Sequence, residues 1–333
     1  MNYLLLGLIT LLSGLAVLGV VFRLYPGLQL MDRPHVYGHK RGAVPYSVGI
    51  AIFLIFCVIS VFVLNVDRNL LVLLVSASLL VIISFADDYK NINPLLRLLV
   101  QLICSAGAVY SGAQVFEISN PFGIDPVQLG PISFVLSVAW IVLLTNLLNF
   151  LDGVSGLSSG VAAVGFFVIF GLSIWPDRHI VDQTLVSHMA LTLGCLSLMS
   201  AVFEIPSPKI LVGDSGAMFF GFMLGVLSLI NGGKLATVGL VLLVPIFDGL
   251  WAVSRRLYSG KSPFKGDLGH LHHRLLDAGV SERTLLTFYY SMSILFGVIA
   301  LFSWNTFFKV VTLIILFIGS ALLAYFLWIR EKK

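Results

Sequence analysis

The chain has 333 residues, of which 58% are hydrophobic and 11% are charged, and its formal net charge at pH 7 is +4. Soluble domains carry about 25% charged residues. This composition excludes a water-soluble globular domain and predicts an all-α protein that lies in a lipid bilayer.

Apolar segments close to the roughly 20 residues that cross a bilayer recur along the whole chain. No cleavage site frames the first of them as a signal peptide, so we expect it to remain as a span. With no internal repeat and no soluble segment between the spans, residues 1–333 are predicted to form a single membrane-embedded domain. We predict about eleven transmembrane helices, at 3–22, 46–66, 69–86, 95–114, 131–149, 157–175, 183–203, 215–231, 235–254, 284–304 and 308–328.

The placement of lysine and arginine predicts the orientation of these spans. If the N-terminus is outside, sixteen of the 20 basic residues lie in inner loops or in the C-terminal tail, which is then cytoplasmic. This topology explains the positive charge, so we expect no nucleic acid as a partner. The basic residues left outside are Arg68, Arg178, Lys234 and Lys309.

Aspartates gather on the predicted inner side of the membrane. Ionisable groups at membrane depth are costly and usually face a polar cavity or a partner. Asp87 and Asp88 end the third span, where the helix dipole disfavours anions. We interpret them as a pair whose charge needs a cation, and hard divalent metals prefer oxygen ligands. The aspartates concerned are Asp87, Asp88, Asp152, Asp214, Asp248 and Asp267.

The fifth span ends in a second polar element. Asn146, Asn149 and Asp152 are spaced by three and therefore share one side of the helix. Gly153 and Gly156 then break the helix at the predicted inner surface. Hydrogen bonding between helices would explain one asparagine, but two asparagines and an aspartate leading into a glycine turn indicate a site.

The stretch GDSG opens the eighth span. It places backbone N–H groups and the positive end of a helix at the predicted inner face, and that geometry suits a phosphate. The structural alternative is that Asp214 or Ser215 only caps the helix.

The ninth span and the loop after it carry the remaining candidates. Asp248 and Arg255 lie about two turns apart on one face, so an internal ion pair is the structural alternative to a functional role. The HxHH pattern in the loop lacks the usual spacing of zinc ligands. An anion-binding loop fits better, with a solvated surface as the alternative. The loop residues concerned are His270, His272, His273 and Arg274.

Carboxylates for a divalent cation, a helix start for phosphate and a basic loop together predict phosphate-ester chemistry, which depends mainly on positioning and charge neutralisation. The many spans predict that one substrate is a lipid. A transporter or flippase is the alternative from a different class. It would place polar groups near the bilayer midplane, whereas these aspartates are expected at one face.

Five stretches of the sequence together match a known family. They are FADDYKNINPLLRLLVQ, NLLNFLDGVSGL, KILVGDSGAMFFG, VPIFDGL and RRLYSGKSPFKGDLGHLHHRLLDAG. Over nearly its full length the chain resembles the polyprenyl-phosphate N-acetylhexosamine-1-phosphate transferase superfamily, glycosyltransferase family 4. Its last stretch resembles that of the bacterial undecaprenyl-phosphate GlcNAc-1-phosphate transferases.

The resemblance implies transfer of N-acetylglucosamine-1-phosphate from UDP-GlcNAc to undecaprenyl phosphate with release of UMP. The product would be the first lipid-linked intermediate of a cell-envelope glycan such as teichoic acid or O-antigen. Mg²⁺ or Mn²⁺ is the implied cofactor, and the bacterial plasma membrane is the implied location, with the active site on the cytoplasmic face. The expected partners are UDP-N-acetylglucosamine, undecaprenyl phosphate, the lipid bilayer and a second copy in a homodimer.

The resemblance also implies roles for individual residues. Asp214 would be a metal ligand, with Asn149 helping to hold the metal. Asp87 and Asp88 would orient or deprotonate the lipid phosphate, and Asp152 would be a nucleotide-site acid. The histidine loop would read the amino sugar and the diphosphate. We therefore expect catalytic roles for Asp87, Asp88, Asp152 and His272, and substrate contacts from Lys40, Asn146, Ser155, Asp248, Arg255, His270, His273 and Arg274.

Within the family, phospho-MurNAc-pentapeptide transferase of peptidoglycan synthesis is the alternative activity. That branch carries three consecutive histidines followed by an aromatic and an acidic residue, whereas this chain has Arg274 after two histidines. Two features depart from the wider family. Ser155 stands where the second acid of D-G-x-D-G is expected, and Tyr-Gly-His-Lys replaces a basic run before Arg41. Lys40 and Arg41 would then supply the phosphate-binding cations of the first inner loop.

Overall fold

The computed structural model describes residues 2–34, 41–118, 120, 126–175, 182–230, 235–258 and 271–302, together with positions 311, 312, 314 and 318. The secondary structure of this part is almost entirely helical, which confirms the all-α prediction. The helices are α1 (Tyr3–Leu24), α2 (Gly49–Val63), α3 (Arg68–Lys90), α4 (Pro94–Tyr110), α5 (Ile132–Leu151), α6 (Leu157–Ser173), α7 (Thr184–Glu204), α8 (Gly213–Leu229), α9 (Leu235–Val241), α10 (Leu243–Tyr258), α11 (Leu271–Asp277) and α12 (Glu282–Phe302). Between α4 and α5, strand β1 (Glu117–Ile118) pairs with β2 (Val127–Gln128) in antiparallel register.

The described helices account for part of the predicted span count. Within the described ranges, five helices are long and apolar enough to cross a membrane, and six if the bent pair α9–α10 is taken as one span. The apolar helices α2, α4, α6 and α8 are shorter. The chain is therefore a multi-pass membrane protein, while the number eleven and the orientation with the N-terminus outside stay predictions. Most of the last predicted span, 308–328, lies outside the described residues.

Local sequence signals set the boundary between α3 and α4. The Asp67 carboxylate starts α3 by accepting a hydrogen bond of 2.8 Å from the backbone N–H of Leu70. Asn91 ends α3 in the left-handed region, at φ 46°. The Asn93 side chain then caps α4, and Pro94 follows at the start of the helix, where its missing N–H costs nothing. The aspartates at the end of α3 are thereby fixed beside the start of α4.

The predicted ninth span is broken rather than straight. It consists of α9 and α10, whose axes differ by 81°. Pro245 lies in the first turn of α10 and has no N–H to donate to the carbonyl of Val241, where α9 ends. The break therefore falls where proline interrupts the helical hydrogen-bond ladder.

Helix α8 lies at the centre of the bundle, and of its seventeen residues only Asp214 is not fully buried. Glycines let its neighbours approach closely: a Cβ added at Gly225 would lie 2.9 Å from the Cα of Ile141 in α5. Its first residues lie beside the ends of α3 and α7 and the start of α4. One end of the bundle therefore collects polar helix ends from several separate segments.

Candidate active site

The polar groups at this end form a cluster that we name the acidic centre. It contains carboxylates from the end of α3, from the turn after α5 and from the start of α8. A guanidinium from α4 and an amide from α5 complete it. Its members are Asp87, Asp88, Asp152 and Asp214, with Arg97 and Asn149.

Asp88 lies in the last turn of α3, beside the start of α8, and its side chain caps α8. Its carboxylate accepts hydrogen bonds from the backbone N–H groups of Asp214, at 2.9 Å, and Ser215, at 3.3 Å. The hydroxyls of Tyr46, at 2.9 Å, and Ser47 donate to the same carboxylate. The positive end of the α8 dipole therefore stabilises the charge of Asp88.

This capping changes the interpretation of the GDSG stretch. We predicted that the start of α8 presents free backbone N–H groups to a phosphate. In the structure two of these groups, on Asp214 and Ser215, donate to Asp88 instead. These two donors are therefore occupied by a carboxylate from a distant part of the chain, and phosphate binding at this helix start stays a prediction.

Asp87 is stabilised by a different partner. Its carboxylate lies 2.6 Å from Nη1 of Arg97 and accepts a 2.6 Å hydrogen bond from the backbone N–H of Ile92. The same nitrogen of Arg97 lies 3.2 Å from the Asp214 carboxylate. Arg97 thus joins α3 to α8 through two ion pairs.

Sequence reasoning missed Arg97 as a site residue. It counted only as one of the basic residues that set the topology. The available signal was a single arginine within the apolar fourth span, inside one of the matched stretches.

The three polar residues spaced along α5 separate into two groups. The side chain of Asn149 lies near the Asp214 carboxylate, and Asp152 accepts a hydrogen bond of 2.5 Å from the hydroxyl of Ser158. Asn146 instead pairs with Gln101 of α4, donating to it at 2.7 Å and accepting from it at 3.3 Å. Asn146 therefore faces α4, whereas Asn149 belongs to the acidic centre.

A buried carboxylate that sequence reasoning also missed lies beside Asp152. Glu204, the last residue of α7, is 1% exposed and accepts hydrogen bonds from Ser159, at 2.6 Å, and from the backbone N–H of Val212, at 3.1 Å. Burial raises the pKa of Asp152 well above its usual range, and the charge of Glu204 raises it further. The signal for Glu204 was an acid at the predicted inner end of the seventh span.

Asp248 anchors the short helix α11. Its carboxylate accepts a 2.6 Å hydrogen bond from the backbone N–H of Leu271, and its other oxygen lies 3.4 Å from Nδ1 of His272. Both side chains are buried. The next residue, Gly249, packs against Leu147 of α5. The structure therefore brings Asp248 and His272 together on the α5 side of the bundle.

The remaining predicted residues are distributed as follows. Arg255 lies in the last turn of α10 and Arg274 lies in α11, both partly buried. Ser155 lies in the turn between α5 and α6 and lines a cavity that Glu204 also lines. Lys40, His270 and the side chain of His273 lie outside the described residues.

The donor chemistry of the acidic centre suits a hard cation, because carboxylate and amide oxygens are the ligands that Mg²⁺ and Mn²⁺ prefer. In the described part of the chain, no group of three or more His, Cys, Asp or Glu side chains is placed to hold a metal ion. Protein-bound Mg²⁺ is usually held by one or two carboxylates together with substrate phosphates. Asp214, with Asn149 in contact, fits a metal ion of that kind, which binds together with a diphosphate.

The helices and the acidic centre define a multi-pass membrane protein with a charged site at one end of its bundle. The family model described as glycosyl transferase family 4 matches residues 70–232, which include every member of the acidic centre. This match covers just under half of the chain, and together with the relatives described next it supports a place in the polyprenyl-phosphate N-acetylhexosamine-1-phosphate transferase superfamily and an enzyme of the sugar-1-phosphate transferase class.

Bacterial relatives match along most of their length. A probable undecaprenyl-phosphate N-acetylglucosaminyl 1-phosphate transferase of Bacillus subtilis is 26% identical over 301 residues, covering 88% of this chain and 83% of that protein. An undecaprenyl-phosphate alpha-N-acetylglucosaminyl 1-phosphate transferase of Escherichia coli K12 is 26% identical over 318 residues, with 90% and 82% covered. A decaprenyl-phosphate N-acetylglucosaminephosphotransferase of Mycolicibacterium smegmatis is 30% identical over 240 residues, with 65% and 59% covered.

Proposed function

We propose that this protein transfers N-acetylglucosamine-1-phosphate from UDP-GlcNAc to undecaprenyl phosphate and releases UMP. The observation that carries the proposal is the acidic centre, where an arginine and the start of a helix hold carboxylates from separate segments in place. Such a site binds and positions charged phosphate groups, which is most of what phosphoryl transfer requires. The names of the relatives support the sugar and the lipid acceptor.

The chain's own charged residues would divide the work of binding the donor. Two carboxylates of the centre hold the Arg97 guanidinium in place. We propose that this guanidinium donates hydrogen bonds to a diphosphate bound there. Asp214 and Asn149 would hold Mg²⁺ or Mn²⁺, which neutralises charge on the diphosphate when bound. Asp152 and the histidine loop with His272 are proposed to contact the nucleotide-sugar.

The acceptor phosphate would attack the phosphorus of the donor that carries the sugar. A lipid phosphate is already anionic near pH 7, so the attack needs little help from a general base. We therefore propose one direct displacement, in which the new phosphorus–oxygen bond forms as the bond to UMP breaks. Asp87 and Asp88 would orient the acceptor indirectly. Asp87 holds Arg97 in place, and Asp88 holds the start of α8.

An apolar groove offers a place for the isoprenoid chain of the acceptor. The groove has a volume of about 520 Å³, lies between α4 and α5, and is lined by residues such as Leu102, Phe134 and Ala139. Among the described residues that line it, only Asn146 is polar, and Asn146 lies one helical turn from Asn149 of the acidic centre. A chain in this groove would leave its phosphate close to the acidic centre.

We further propose that the protein lies in the bacterial plasma membrane with the acidic centre on the cytoplasmic face. The N-terminus would be outside and the C-terminus inside. The product would begin a cell-envelope glycan. Both proposals rest on the distribution of lysine and arginine and on the bacterial relatives.

The test is UMP release by the purified protein in detergent with Mg²⁺, undecaprenyl phosphate and UDP-GlcNAc. We expect release that depends on both substrates and on the metal. UDP-MurNAc-pentapeptide in place of UDP-GlcNAc tests the peptidoglycan alternative, and activity with that donor alone would favour it. No release with any UDP-sugar, together with lipid movement across vesicles, would favour the flippase alternative.

A further inference from the structure

The turn between α5 and α6 carries one acid fewer than the family pattern predicts. Asp152 is present, but Ser155 stands at the second acidic position of D-G-x-D-G. A serine hydroxyl cannot supply the negative charge of a carboxylate. A centre that needs this charge must therefore obtain it from another part of the chain.

Glu204 brings a carboxylate to the same place from the end of α7. A Cβ added at Gly156, the neighbour of Ser155, would lie 3.6 Å from the Cβ of Glu204. Ser155 and Glu204 also line one cavity of about 300 Å³. Glu204 is close enough to Asp152 to raise the pKa of the Asp152 carboxyl group, and burial raises the pKa of Glu204 to about 7. Glu204 therefore stands beside the turn that lacks its second acid.

The surroundings hold the Glu204 side chain in one position. One oxygen accepts from Ser159 in the first turn of α6, and the other accepts from the backbone N–H of Val212, which directly precedes the GDSG stretch. The Tyr290 hydroxyl of α12 donates a 2.5 Å hydrogen bond to the carbonyl of Gly156 in the same turn. The ends of α7, α6 and α8 are thus joined through one carboxylate.

We propose that Glu204 is a positioning residue that replaces the acid missing at position 155. Its carboxylate holds Val212, and therefore the start of α8 with Asp214, in register with the Asp152 turn. It also supplies the second carboxyl group beside Asp152. The inference rests on the proposed function only where its test measures UMP release.

The experiment is a double-mutant cycle between positions 204 and 155. Glu204→Gln keeps an acceptor for the Val212 N–H and a group that can pair with Ser159, while it removes the charge. We expect its turnover to fall about tenfold to a hundredfold, in line with the cost of a small misplacement at an active site. Ser155→Asp added to Glu204→Gln should restore most of the loss. Glu282→Gln makes the same chemical change at the exposed rim of the cavity and should leave turnover unchanged.

A second readout does not depend on catalysis. In the protein with Glu204, Ser155→Asp places two carboxylates side by side and should lower Tm by a few degrees. In the Glu204→Gln background the same change should lower Tm much less, since a coupling between neighbouring sites appears as non-additivity. If the parent protein releases no UMP, the proposed function is wrong. The Tm measurements of the double-mutant cycle still test the positioning role of Glu204. Normal turnover of Glu204→Gln, no rescue by Ser155→Asp, or additive Tm changes would each overturn it.

Discussion

The carboxylate of Asp88, in the last turn of α3, accepts a 2.9 Å hydrogen bond from the backbone N–H of Asp214, at the start of α8. Two acids that lie 126 positions apart in the sequence therefore form one structural unit. The relationship also explains why two aspartates can stand side by side at the end of a helix. Asp88 is stabilised by the start of another helix and Asp87 by Arg97, so each charge has its own partner.

The first prediction concerns this capping role. Asp88→Asn keeps one acceptor oxygen and removes the charge. It should lower turnover about 10²–10⁴-fold and also lower Tm slightly, because a negative charge at the positive end of a helix dipole is typically worth about 0.3–1 kcal/mol. UDP-GlcNAc affinity should change much less. The matched control is Asp67→Asn, which alters the carboxylate that caps α3 at the other end of that helix. Normal turnover of Asp88→Asn would show that the carboxylate is only structural.

A second prediction concerns Arg97, which pairs with both Asp87 and Asp214. Arg97→Gln should reduce turnover about 10²–10³-fold, the typical cost of removing one group that stabilises transition-state charge. Arg97→Lys keeps the charge and should lose less. Arg68→Gln removes a basic residue at the opposite end of α3 and should behave like the parent protein. Equal losses of turnover in Arg97→Gln and Arg97→Lys would mean that turnover depends on the shape of the guanidinium group and not on its positive charge.

A third prediction separates metal binding from folding at Asp214. Asp214→Ala should insert into the membrane and purify normally but lose Mg²⁺-dependent turnover. In the presence of UDP-GlcNAc, it should also bind Mn²⁺ more weakly, as measured by electron paramagnetic resonance. Asp182→Ala, at an exposed position before α7, is the matched control. Unchanged Mn²⁺ binding by Asp214→Ala would remove this residue from the metal site.

The groove between α4 and α5 provides a fourth prediction. Ala139 lines it and is exposed, so Ala139→Trp would fill part of its volume without touching the acidic centre. We expect the KM for undecaprenyl phosphate to rise while UDP-GlcNAc affinity stays unchanged. Val58→Trp places the same side chain in a separate apolar groove between α1 and α2. A rise in KM for the Val58 variant and none for the Ala139 variant would move the isoprenoid chain to that other groove.

The fifth prediction tests the orientation. Single cysteines at positions 118 and 265 are introduced into a variant without Cys57, Cys104 and Cys195. A membrane-impermeant reagent applied to intact cells should label position 118, in β1, and leave position 265 unlabelled until the cells are opened. The reverse pattern would show that the acidic centre does not face the cytoplasm.

Hydropathy and helix signals were enough to predict the helices, because each depends on a short stretch of sequence. The third predicted span, 69–86, lies within Arg68–Lys90, and Asp67 and Pro94 stand where helix-start rules place them. The clustering of four aspartates could also be predicted, because each lies at the predicted inner end of its span: Asp87, Asp88, Asp152 and Asp214. Such inferences need only the side of the membrane on which a residue lies.

Partners within the site could not be predicted in the same way. Asn146 was grouped with Asn149 by spacing alone, but whether it turns toward Gln101 depends on how α4 packs against α5. Whether Arg97 forms an ion pair with Asp87, with Asp214 or with neither depends on the same packing. Glu204 lies at a predicted inner span end like the aspartates, but it stands in no recognisable motif, so its place beside Asp152 could not be predicted.

The burial of α8 has a consequence for how the protein is made. Helices α1 to α7 leave the ribosome before α8, yet α8 fills the middle of the finished bundle and contacts its neighbours on all sides. In membranes such helices insert first and associate afterwards through close packing of small residues. The space that α8 fills is therefore packed only after α8 has been inserted. Because α8 begins with the residues that meet Asp88 and Arg97, its arrival also completes the contacts of the acidic centre. A chain that ends before α8 therefore lacks part of this site.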